Sequence, residues 1–397
     1  MLLHVPTSRG CNNRCVFCME YGRGVQRRFT SEEFRQQLER ARSFTDEVVF
    51  TSGEPTLEPN LEPAVADART LGFTRIGLIT NGRRLCDEDL CSRLFDAGLT
   101  EITVSIHGSD AGIHDGITGR PGSFDETLAA LSNIARLRRD RDLTLASNCT
   151  LVRSNLCCMK TLWELLQGFG VDSLNFNTVE PRGRASDGFD DVVPRYDEVL
   201  EAADDSGLDF QTPRVSLSRI PACAGGVEWI QEDFHFTHGE HVTHFDPAEG
   251  KVRGEICGRC TLIDRCAGVW ERYIEGFGWE GLYPVAEPLS DDHPPLSLDL
   301  ADGSGGRALR RGWLGGHRRL CLERPFQRPG LPRVIELARS LGYGWIEART
   351  DGEAIASVAV MRRVAELGID RLVFLRPGFC ERAVLAASRV GIRWDLD

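Results

Sequence analysis

The chain has 397 residues, a formal net charge of −12, 41% hydrophobic residues and 27% charged residues. This length exceeds one ordinary domain, so we expect two or three. The acidic balance disfavours a nucleic-acid partner bound mainly through its phosphates. No apolar run approaches the ~20 residues of a membrane helix, so no membrane partner is expected. The sequence reaches Cys11 almost at once, which leaves no room for a signal peptide and predicts a cytoplasmic protein.

Strands and helices alternate along the N-terminal part of the sequence. Apolar runs predict six strands, at 2–7, 47–51, 76–80, 101–106, 143–150 and 172–178. Amphipathic patterns and N-caps predict helices between them, at 31–43, 61–71, 87–97, 123–138 and 158–169, and a further helix at 194–206. This alternation predicts parallel βαβ units. In βα barrels the active site lies at the carboxyl ends of the strands, where polar residues cluster here: Cys11–Cys18, Glu54, Asn81, Ser105, His107, Asn148, Asn177 and Glu180.

Three cysteines follow the first predicted strand. Cys11, Cys15 and Cys18 lie within eight residues, and three close thiolates can bind three irons of a 4Fe–4S cluster. The fourth iron is then free to bind a substrate or cofactor. A structural zinc site would need a fourth ligand, and no Cys or His lies in the next thirty residues. A disulfide would leave one thiol unpaired.

The spacing of these cysteines, with the aromatic Phe17 before the last one, resembles the CxxxCxΦC motif of radical S-adenosylmethionine (SAM) enzymes. The resemblance implies that the open iron binds SAM through its methionine amino and carboxylate groups. One electron from the reduced cluster would then cleave SAM to a 5′-deoxyadenosyl radical, with Phe17 beside the adenine. The expected fold class is α/β, with the partial (βα)6 TIM-type barrel of that family.

Further residues carry the resemblance. Ser52-Gly53-Glu54-Pro55 resembles the GGEP motif, with Ser for the first Gly, which implies that its backbone and Glu54 hold the amino group of SAM. Asn81, at the end of the third strand, is a further candidate cofactor-binding residue. Ser105 and Asn148 match positions that hold the ribose and carboxylate of SAM, although Ser and Asn at strand ends are commonly turn residues.

The loop after the fourth strand contains His107 and His114, and it resembles the corresponding loop of maturase-like radical SAM proteins. The resemblance implies that either histidine could donate to substrate or to SAM. A purely structural role in the loop is the alternative for each.

A second cysteine group has ligand spacing. Cys257, Cys260 and Cys266 resemble the cysteine block of SPASM and twitch domains, which hold auxiliary 4Fe–4S clusters. We expect one auxiliary cluster, with Cys223 as fourth ligand. The full SPASM block has a further Cys where this chain has Trp270, which argues against a second auxiliary cluster. A structural zinc ion on the same four thiols is the alternative.

Four histidines recur at intervals of three residues between Cys223 and Cys257. They are His235, His238, His241 and His244. Three-residue spacing in a strand scatters side chains over both faces, so this run favours a hairpin over a separate metal site.

The predicted domains are a barrel core at 1–185, a SPASM/twitch-like auxiliary-cluster domain at 186–285, a linker at 286–318 and a C-terminal αβ domain at 319–397. The last domain reads as a degenerate repeat of 55–108, because residues 329–378 align without gaps on 59–108. Shared packing rules of helix–strand units are the alternative explanation. The copy lacks a cysteine triplet, and Arg324 aligns with Glu54, so we expect no SAM cleavage there.

These features predict a radical SAM enzyme, with SAM, the SAM-binding cluster and one auxiliary cluster as cofactors. A peptide-modifying maturase is the first expectation, and an enzyme acting on a small molecule in cofactor or natural-product synthesis is the alternative. Its expected partners are that substrate and a reductase, flavodoxin or ferredoxin as electron donor. A non-catalytic iron–sulfur carrier or scaffold is a third hypothesis, but a carrier needs no SAM-binding turn at 52–55.

Overall fold

The computed structural model describes residues 2–7, 10–21, 29–210, 212–225, 235–238, 241–244, 248–300, 305–327, 330–375 and 381–396, with only the backbone at 2, 235–238, 241–244, 327, 353, 358 and 381. The chain forms two compact units. The N-terminal unit comprises Met1–Ile220, Ile230–Val252 and Ala267–Gly278. The C-terminal unit comprises Pro221–Trp229, Arg253–Cys266 and Trp279–Asp397. The predicted domain 186–285 is therefore shared between the two units, and its boundaries stay a prediction.

Seven parallel strands in sequence order form the main sheet of the N-terminal unit. They are β1 (Leu2–Pro6), β2 (Glu47–Thr51), β3 (Arg75–Thr80), β4 (Glu101–Ser105), β5 (Thr144–Leu151), β6 (Ser173–Thr178) and β7 (Val215–Ser218). The α/β fold with parallel βα units is confirmed, and each of the six predicted strands has both ends within one residue of its expected position. The sequence analysis missed β7, whose four residues are too short for a clear periodic signal.

The predicted hairpin joins this sheet. Strands β8 (His235–His238) and β9 (His241–His244) pair antiparallel, and β8 pairs parallel with β1. The histidine side chains of this run lie outside the described residues, so the metal alternative is not addressed there. Two short strands, β10 (Lys251–Val252) and β11 (Val269–Trp270), form a separate antiparallel pair.

The helices of the N-terminal unit lie between and after these strands along the chain. They are α1 (Ser31–Arg42), α2 (Leu61–Thr70), α3 (Glu88–Ala97), α4 (Ala111–Thr118), α5 (Ser123–Leu137), α6 (Met159–Gly168), α7 (Arg184–Asp187), α8 (Phe189–Val192), α9 (Tyr196–Ser206) and α10 (Glu271–Phe277). Burial alternates along β5 and β6. The buried face is mainly apolar, although Ser147 and Thr178 lie on it, and the half-buried face carries Asn148, Asn175 and Asn177. The open barrel therefore has a polar inner face. No helix among the described residues is both long and apolar enough to span a bilayer.

The C-terminal unit contains a second parallel sheet with strands in sequence order. Its strands are β12 (Leu296–Asp299), β13 (Arg319–Glu323), β14 (Trp345–Thr350), β15 (Arg371–Phe374) and β16 (Arg393–Leu396). They alternate with α11 (Gly305–Leu314), α12 (Leu331–Ser340), α13 (Val358–Glu366) and α14 (Glu381–Val390). Residues 286–318, expected to be a linker, thus supply the first strand and helix of this sheet. Their Pro, Gly and Asp content obscured the alternation around Leu296 and Leu298.

The two units repeat the same plan. Helices α2 and α12 begin at Leu61 and Leu331, strands β3 and β14 at Arg75 and Trp345, and β4 and β15 at Glu101 and Arg371, so the sequence offset is the same for all three pairs. The turns after β3 and β14 also match, because Gly82 and Gly352 both adopt positive φ, at 80° and 87°. Equal offsets and equal turns are what a duplicated βα segment would produce.

The copy differs at the turn after its second strand. In the N-terminal unit Val48 pairs with Ile76, and in the C-terminal unit Leu320 pairs with Ile346. Counted from these pairs, Arg324 is equivalent to Ser52 rather than to Glu54. Both residues have positive φ, 70° for Ser52 and 47° for Arg324. The alignment of Arg324 with Glu54 was therefore wrong. The turn between β13 and α12 is two residues shorter than the turn between β2 and α2, and a gapless alignment does not allow for this difference. The copy has no counterpart of Gly53 and Glu54.

A buried hydroxyl tests the packing of the C-terminal unit. Tyr343 is 1% exposed, and its hydroxyl donates to the carbonyl oxygen of Leu309 over 2.8 Å. Tyr343→Phe leaves that carbonyl without this donor, so we expect a loss of about 1–2 kcal/mol in the free energy of unfolding. Tyr283→Phe is the control, because Tyr283 is 37% exposed. Urea unfolding followed by fluorescence measures both; equal midpoints for the two variants would contradict the packing.

Candidate active site

The cysteine triplet lies in the loop that follows β1, and this loop rests on the end of α4. The backbone N–H of Arg14 donates to the carbonyl of Thr118 over 2.7 Å, and that of Val16 donates to Ile117 over 2.9 Å. The sequence places the loop at the carboxyl end of β1, and these hydrogen bonds fix its path there.

Side chains from the end of β3 hold the same loop. Arg83 Nη1 donates to the carbonyl of Asn12 over 2.7 Å and to Asn13 Oδ1 over 2.9 Å. Asn81 Nδ2 donates to Asn12 Oδ1 over 2.7 Å and lies 3.8 Å from Cys11 Sγ. The structure thus brings Asn81, a predicted cofactor-binding residue, against the first cysteine. Arg83 has no sequence signal that would predict this contact.

The three thiols are close enough to influence one another. Burial, followed by the charges of Cys11 and Cys18, raises the pKa of Cys15 to about 12. Burial also raises the pKa of Cys11. Three thiolates in one half-buried loop need a cationic centre to hold them deprotonated, and sulfur donors suit an iron–sulfur cluster. Among the described residues, no three His, Cys, Asp or Glu side chains are placed to hold a single metal ion.

Glu54 is buried and fully engaged by the protein. Its Oε1 accepts hydrogen bonds from the backbone N–H and hydroxyl of Thr56, at 3.0 and 2.5 Å, and from the hydroxyl of Thr80 at 2.6 Å. Its Oε2 accepts from the backbone N–H of Asn81 over 2.7 Å. With 1% exposure, the carboxylate shapes the turn and joins the ends of β2 and β3.

The rest of the turn at 52–55 presents backbone. Ser52 and Gly53 are half-buried and both adopt positive φ, at 70° and 58°. The backbone N–H of Glu54 donates to the carbonyl of Gly10 over 2.8 Å, which ties the turn to the start of the cysteine loop. Pro55 is buried at the start of a short 3-10 turn. Ser52 and Gly53 are therefore the half-buried residues of this motif, and the carbonyl oxygen of Ser52 accepts a hydrogen bond from the hydroxyl of Thr7 over 3.3 Å.

Ser105 and Asn148 are brought side by side. They are paired residues across β4 and β5, both half-buried, at the same edge of the sheet as the cysteine loop. Phe17 packs edge-on against His107, with ring centroids 4.8 Å apart. Each predicted cofactor-binding residue thus lies at or beside the carboxyl ends of β1–β5.

The two loop histidines are neutral and buried. Burial lowers the pKa of His107 to about 3 and that of His114 to about 4. His107 Nδ1 accepts from the backbone N–H of Thr150 over 3.2 Å, and His114 Nδ1 accepts from the backbone N–H of His107 over 3.1 Å. These hydrogen bonds support the structural alternative, in which both rings fix the loop after β4.

A row of amide and hydroxyl groups lines the inner face of β6 and β7. Ser218 Oγ donates to Asn177 Oδ1 over 2.7 Å, and Ser216 Oγ donates to Asn175 Oδ1 over 3.0 Å. All four side chains are half-buried. We call Asn175, Asn177, Ser216 and Ser218 the amide–hydroxyl wall. The sequence analysis named only Asn177; the serines alternate with Val215 and Leu217, a signal too short to assign.

The loop after β6 closes over the cysteine loop. The backbone N–H of Arg184 donates to the carbonyl of Cys18 over 3.1 Å. Gly183 has φ 55°, and a Cβ there would lie 2.4 Å from the carbonyl oxygen of Cys18. Only glycine allows this approach, so Gly183 belongs to the support of the third cysteine.

The C-terminal unit brings the second cysteine group together. Burial raises the pKa of Cys223 to about 12, and the charges of Cys266, Cys257 and Cys260 add to that rise. The Cys223 thiol therefore lies near the other three, although Cys223 and Cys257 are far apart in the sequence. Four thiolates suit either a 4Fe–4S cluster or a zinc ion by donor chemistry. In the described part of the chain, these four side chains are not placed to hold a single metal ion.

One segment holds two parts of this cysteine group. The backbone N–H of Tyr283 donates to the carbonyl of Cys223 over 2.8 Å. The backbone N–H of Val285 lies 3.4 Å from Cys260 Sγ, and its carbonyl accepts from the N–H of Thr261 over 2.9 Å. Backbone N–H groups aimed at cysteine sulfur are typical of sites that tune iron–sulfur clusters.

Trp270 occupies the position of the additional SPASM cysteine. It is 7% exposed and lies under two cations, with Arg182 at 5.5 Å and Lys251 at 4.9 Å from the ring centroid. The position therefore has a packing role in this chain.

An open parallel βα barrel with clustered cysteines after its first strand is the arrangement expected of an iron–sulfur enzyme of the barrel class. Residues 5–153 match the family model of the Radical SAM superfamily. The matched segment contains the cysteine loop and β2–β5. The match implies an enzyme with a 4Fe–4S cluster and SAM as its cofactors.

Two relatives illustrate the range of the family. PqqA peptide cyclase from Rhodopseudomonas palustris is 29% identical over 288 residues, which cover 68% of this chain and 74% of the relative. AdoMet-dependent heme synthase from Methanosarcina barkeri is 31% identical over 202 residues, 48% of this chain and 54% of the relative. The chain thus spans only about half of the heme synthase.

Solved structures share the fold. SuiB of Streptococcus suis bound to precursor peptide SuiA superposes with a TM-score of 0.52 at 12% identity, covering 71% of this chain and 74% of SuiB. The anSMEcpe structure with bound AdoMet gives 0.50 at 16% identity, covering 71% of this chain and 93% of the other. At this identity the likeness concerns the fold alone.

Replacing the buried carboxylate tests its role. Glu54→Gln places an amide N–H₂ among the donors from Thr56, Thr80 and Asn81, so we expect a loss of about 1–3 kcal/mol of stability and weaker SAM binding. Glu58→Gln is the matched control, because Glu58 is also buried but accepts one hydrogen bond, from Asn60. Equilibrium dialysis with SAM and thermal unfolding measure both effects. Equal SAM affinity in the two variants would contradict the role of Glu54.

Adding one methyl group tests the closing loop. Gly183→Ala forces the loop away from Cys18, so we expect the loss of about four irons per chain after reconstitution. Gly188→Ala is the control, since a Cβ at Gly188 meets only Val192 Cγ2 at 3.4 Å and the carbonyl oxygen of Arg184 at 3.5 Å. Iron and sulfide analysis reports the result. Full iron content in Gly183→Ala would show that the loop does not support the cluster.

Proposed function

We propose that this enzyme reductively cleaves SAM at the cysteine loop and abstracts hydrogen from a peptide substrate. Cys11, Cys15 and Cys18 would hold the cluster, and their position at the carboxyl end of β1 supports this assignment. When bound, the reduced cluster and SAM supply a 5′-deoxyadenosyl radical.

The chain's own residues would bind and orient SAM. The backbone of Ser52 and Gly53 would contact the methionine amino group, while Glu54 fixes that turn from behind as a positioning residue. Ser105 and Asn148 would bind the polar parts of SAM from β4 and β5. Phe17 would pack against the adenine.

The amide–hydroxyl wall is the observation that carries the substrate class. Asn175 and Asn177 present uncharged amides, and Ser216 and Ser218 present hydroxyls, on the inner face of the barrel. Uncharged donors and acceptors suit the amide groups of a peptide backbone. The peptide cyclase relative matches 68% of this chain, a longer part than the 48% matched by the heme synthase, and supports the same class.

Cys223, Cys257, Cys260 and Cys266 would hold one auxiliary 4Fe–4S cluster. With four thiolates there is no open iron, so this cluster would accept an electron from the substrate radical rather than bind substrate. The Val285 N–H near Cys260 would stabilise its reduced state. A flavodoxin, ferredoxin or reductase would supply the electron that reduces the SAM-binding cluster.

SAM cleavage tests the proposal directly. We expect the anaerobically reconstituted wild type to form 5′-deoxyadenosine from SAM and dithionite, and the Cys11/Cys15/Cys18→Ala variant to form none. Liquid chromatography measures the product, and mass spectrometry of added peptides measures modification. A wild type that holds iron but never cleaves SAM would instead favour the carrier hypothesis. Turnover of a small molecule but no peptide would favour the alternative substrate class.

Removing Cys223 separates the two sites. Cys223→Ala should lower the iron content by up to about four per chain while leaving SAM cleavage intact, because the cysteine loop is unchanged. Cys157→Ala is the control, as Cys157 is an exposed thiol. Iron analysis and the 5′-deoxyadenosine assay report both quantities. Stoichiometric zinc in place of iron at the second site would contradict the electron-acceptor role.

A further inference from the structure

The C-terminal unit contains an apolar groove between α12 and α13, with a volume of about 480 Å³. Leu331, Ile355 and Val364 form its buried floor. Val360, one turn before Val364 on α13, and Leu367, just after the end of α13, also line the groove; Val360 is 39% exposed. None of these residues belongs to either cysteine site.

The equivalent position in the N-terminal unit contains an ion pair. Helices α2 and α3 pack closely, and Arg93 Nε pairs with Glu62 Oε2 over 3.1 Å across them. At the sequence offset that relates the two units, Arg93 corresponds to Arg363 and Glu62 to Pro332. The copy therefore keeps the cation and loses the carboxylate, and its two helices diverge around the groove.

Arg363 is exposed at the mouth of the groove. In the part of the chain that the structure describes, Arg363 has no ion-pair partner. Glu366 also lines the groove and forms no ion pair with Arg363 in that part. The Arg363 guanidinium lies beside the apolar floor of the groove. This arrangement complements a ligand that has both a carboxylate and an apolar side chain.

We propose that this groove docks the peptide substrate through an apolar side chain that is followed or preceded by an acidic residue. The proposal rests on the peptide substrate argued above. A stable dimer buries about 800 Å² on each partner, more than a groove of this size offers, so a peptide segment fits it better than a second copy. The groove would raise substrate affinity without taking part in the chemistry.

An amphiphilic dye tests the groove without any substrate. The probe 8-anilinonaphthalene-1-sulfonate combines an aromatic body with one anionic group. We expect Arg363→Glu to weaken its binding at least fivefold, and Arg362→Glu to change it less than twofold. Arg362 is the matched control because it is exposed on the same helix. Ala354→Trp fills the groove and should weaken binding as much as Arg363→Glu does. Circular dichroism verifies that all three variants fold.

Kinetics with a peptide that the enzyme modifies tests the occupant. Arg363→Glu should raise KM at least fivefold with kcat unchanged, and the same peptide should displace the dye from the wild type. Equal KM for Arg363→Glu and Arg362→Glu would overturn the proposal. A change of oligomeric state in Arg363→Glu, seen by analytical ultracentrifugation, would assign the groove to self-association and overturn the peptide occupant. If 5′-deoxyadenosine forms but no peptide is modified, the assignment of a peptide substrate is wrong. The dye experiment still tests whether the groove binds an amphiphilic anion, because it needs no substrate.

Discussion

The buried carboxylate of Glu54 is the interaction on which the site depends. It accepts four hydrogen bonds, from Thr56, Thr80 and Asn81, and so fixes the ends of β2 and β3 against each other. Asn81 then reaches the cysteine loop, and the backbone N–H of Glu54 reaches Gly10 at the start of that loop. A buried carboxylate is costly unless its lone pairs are satisfied, so this network has one stable arrangement.

The C-terminal unit shows the same architecture without that site. Its turn at Arg324 is shorter by the two residues that would include a counterpart of Glu54. The polar face of its sheet is neutralised internally, because buried Glu347 pairs with Arg371 at 3.1 Å and Arg349 at 3.5 Å. The copy therefore offers no counterpart of the cofactor turn, and its groove lies on the helical side instead.

Much of this could be predicted from the sequence. Long apolar runs separated by amphipathic helices determined β1–β6, and the two cysteine spacings located both cysteine groups. The grouping of Cys223 with Cys257, Cys260 and Cys266 as one ligand set stays a prediction, which the mutual effect of their charges on the pKa of Cys223 supports. Contacts between distant segments could not be predicted: the role of Glu54 depends on Thr80, and that of Gly183 depends on Cys18. Strands β7 and β12 were missed because four-residue strands carry little periodic signal.

The central claim is that the cluster on Cys11, Cys15 and Cys18 binds SAM. Electron paramagnetic resonance of the dithionite-reduced protein, recorded with and without SAM, tests it most directly. The account predicts that SAM changes the signal of the wild type, and that the Cys11/Cys15/Cys18→Ala variant shows only a SAM-insensitive signal from the second cysteine group. An identical wild-type signal with and without SAM would contradict the account.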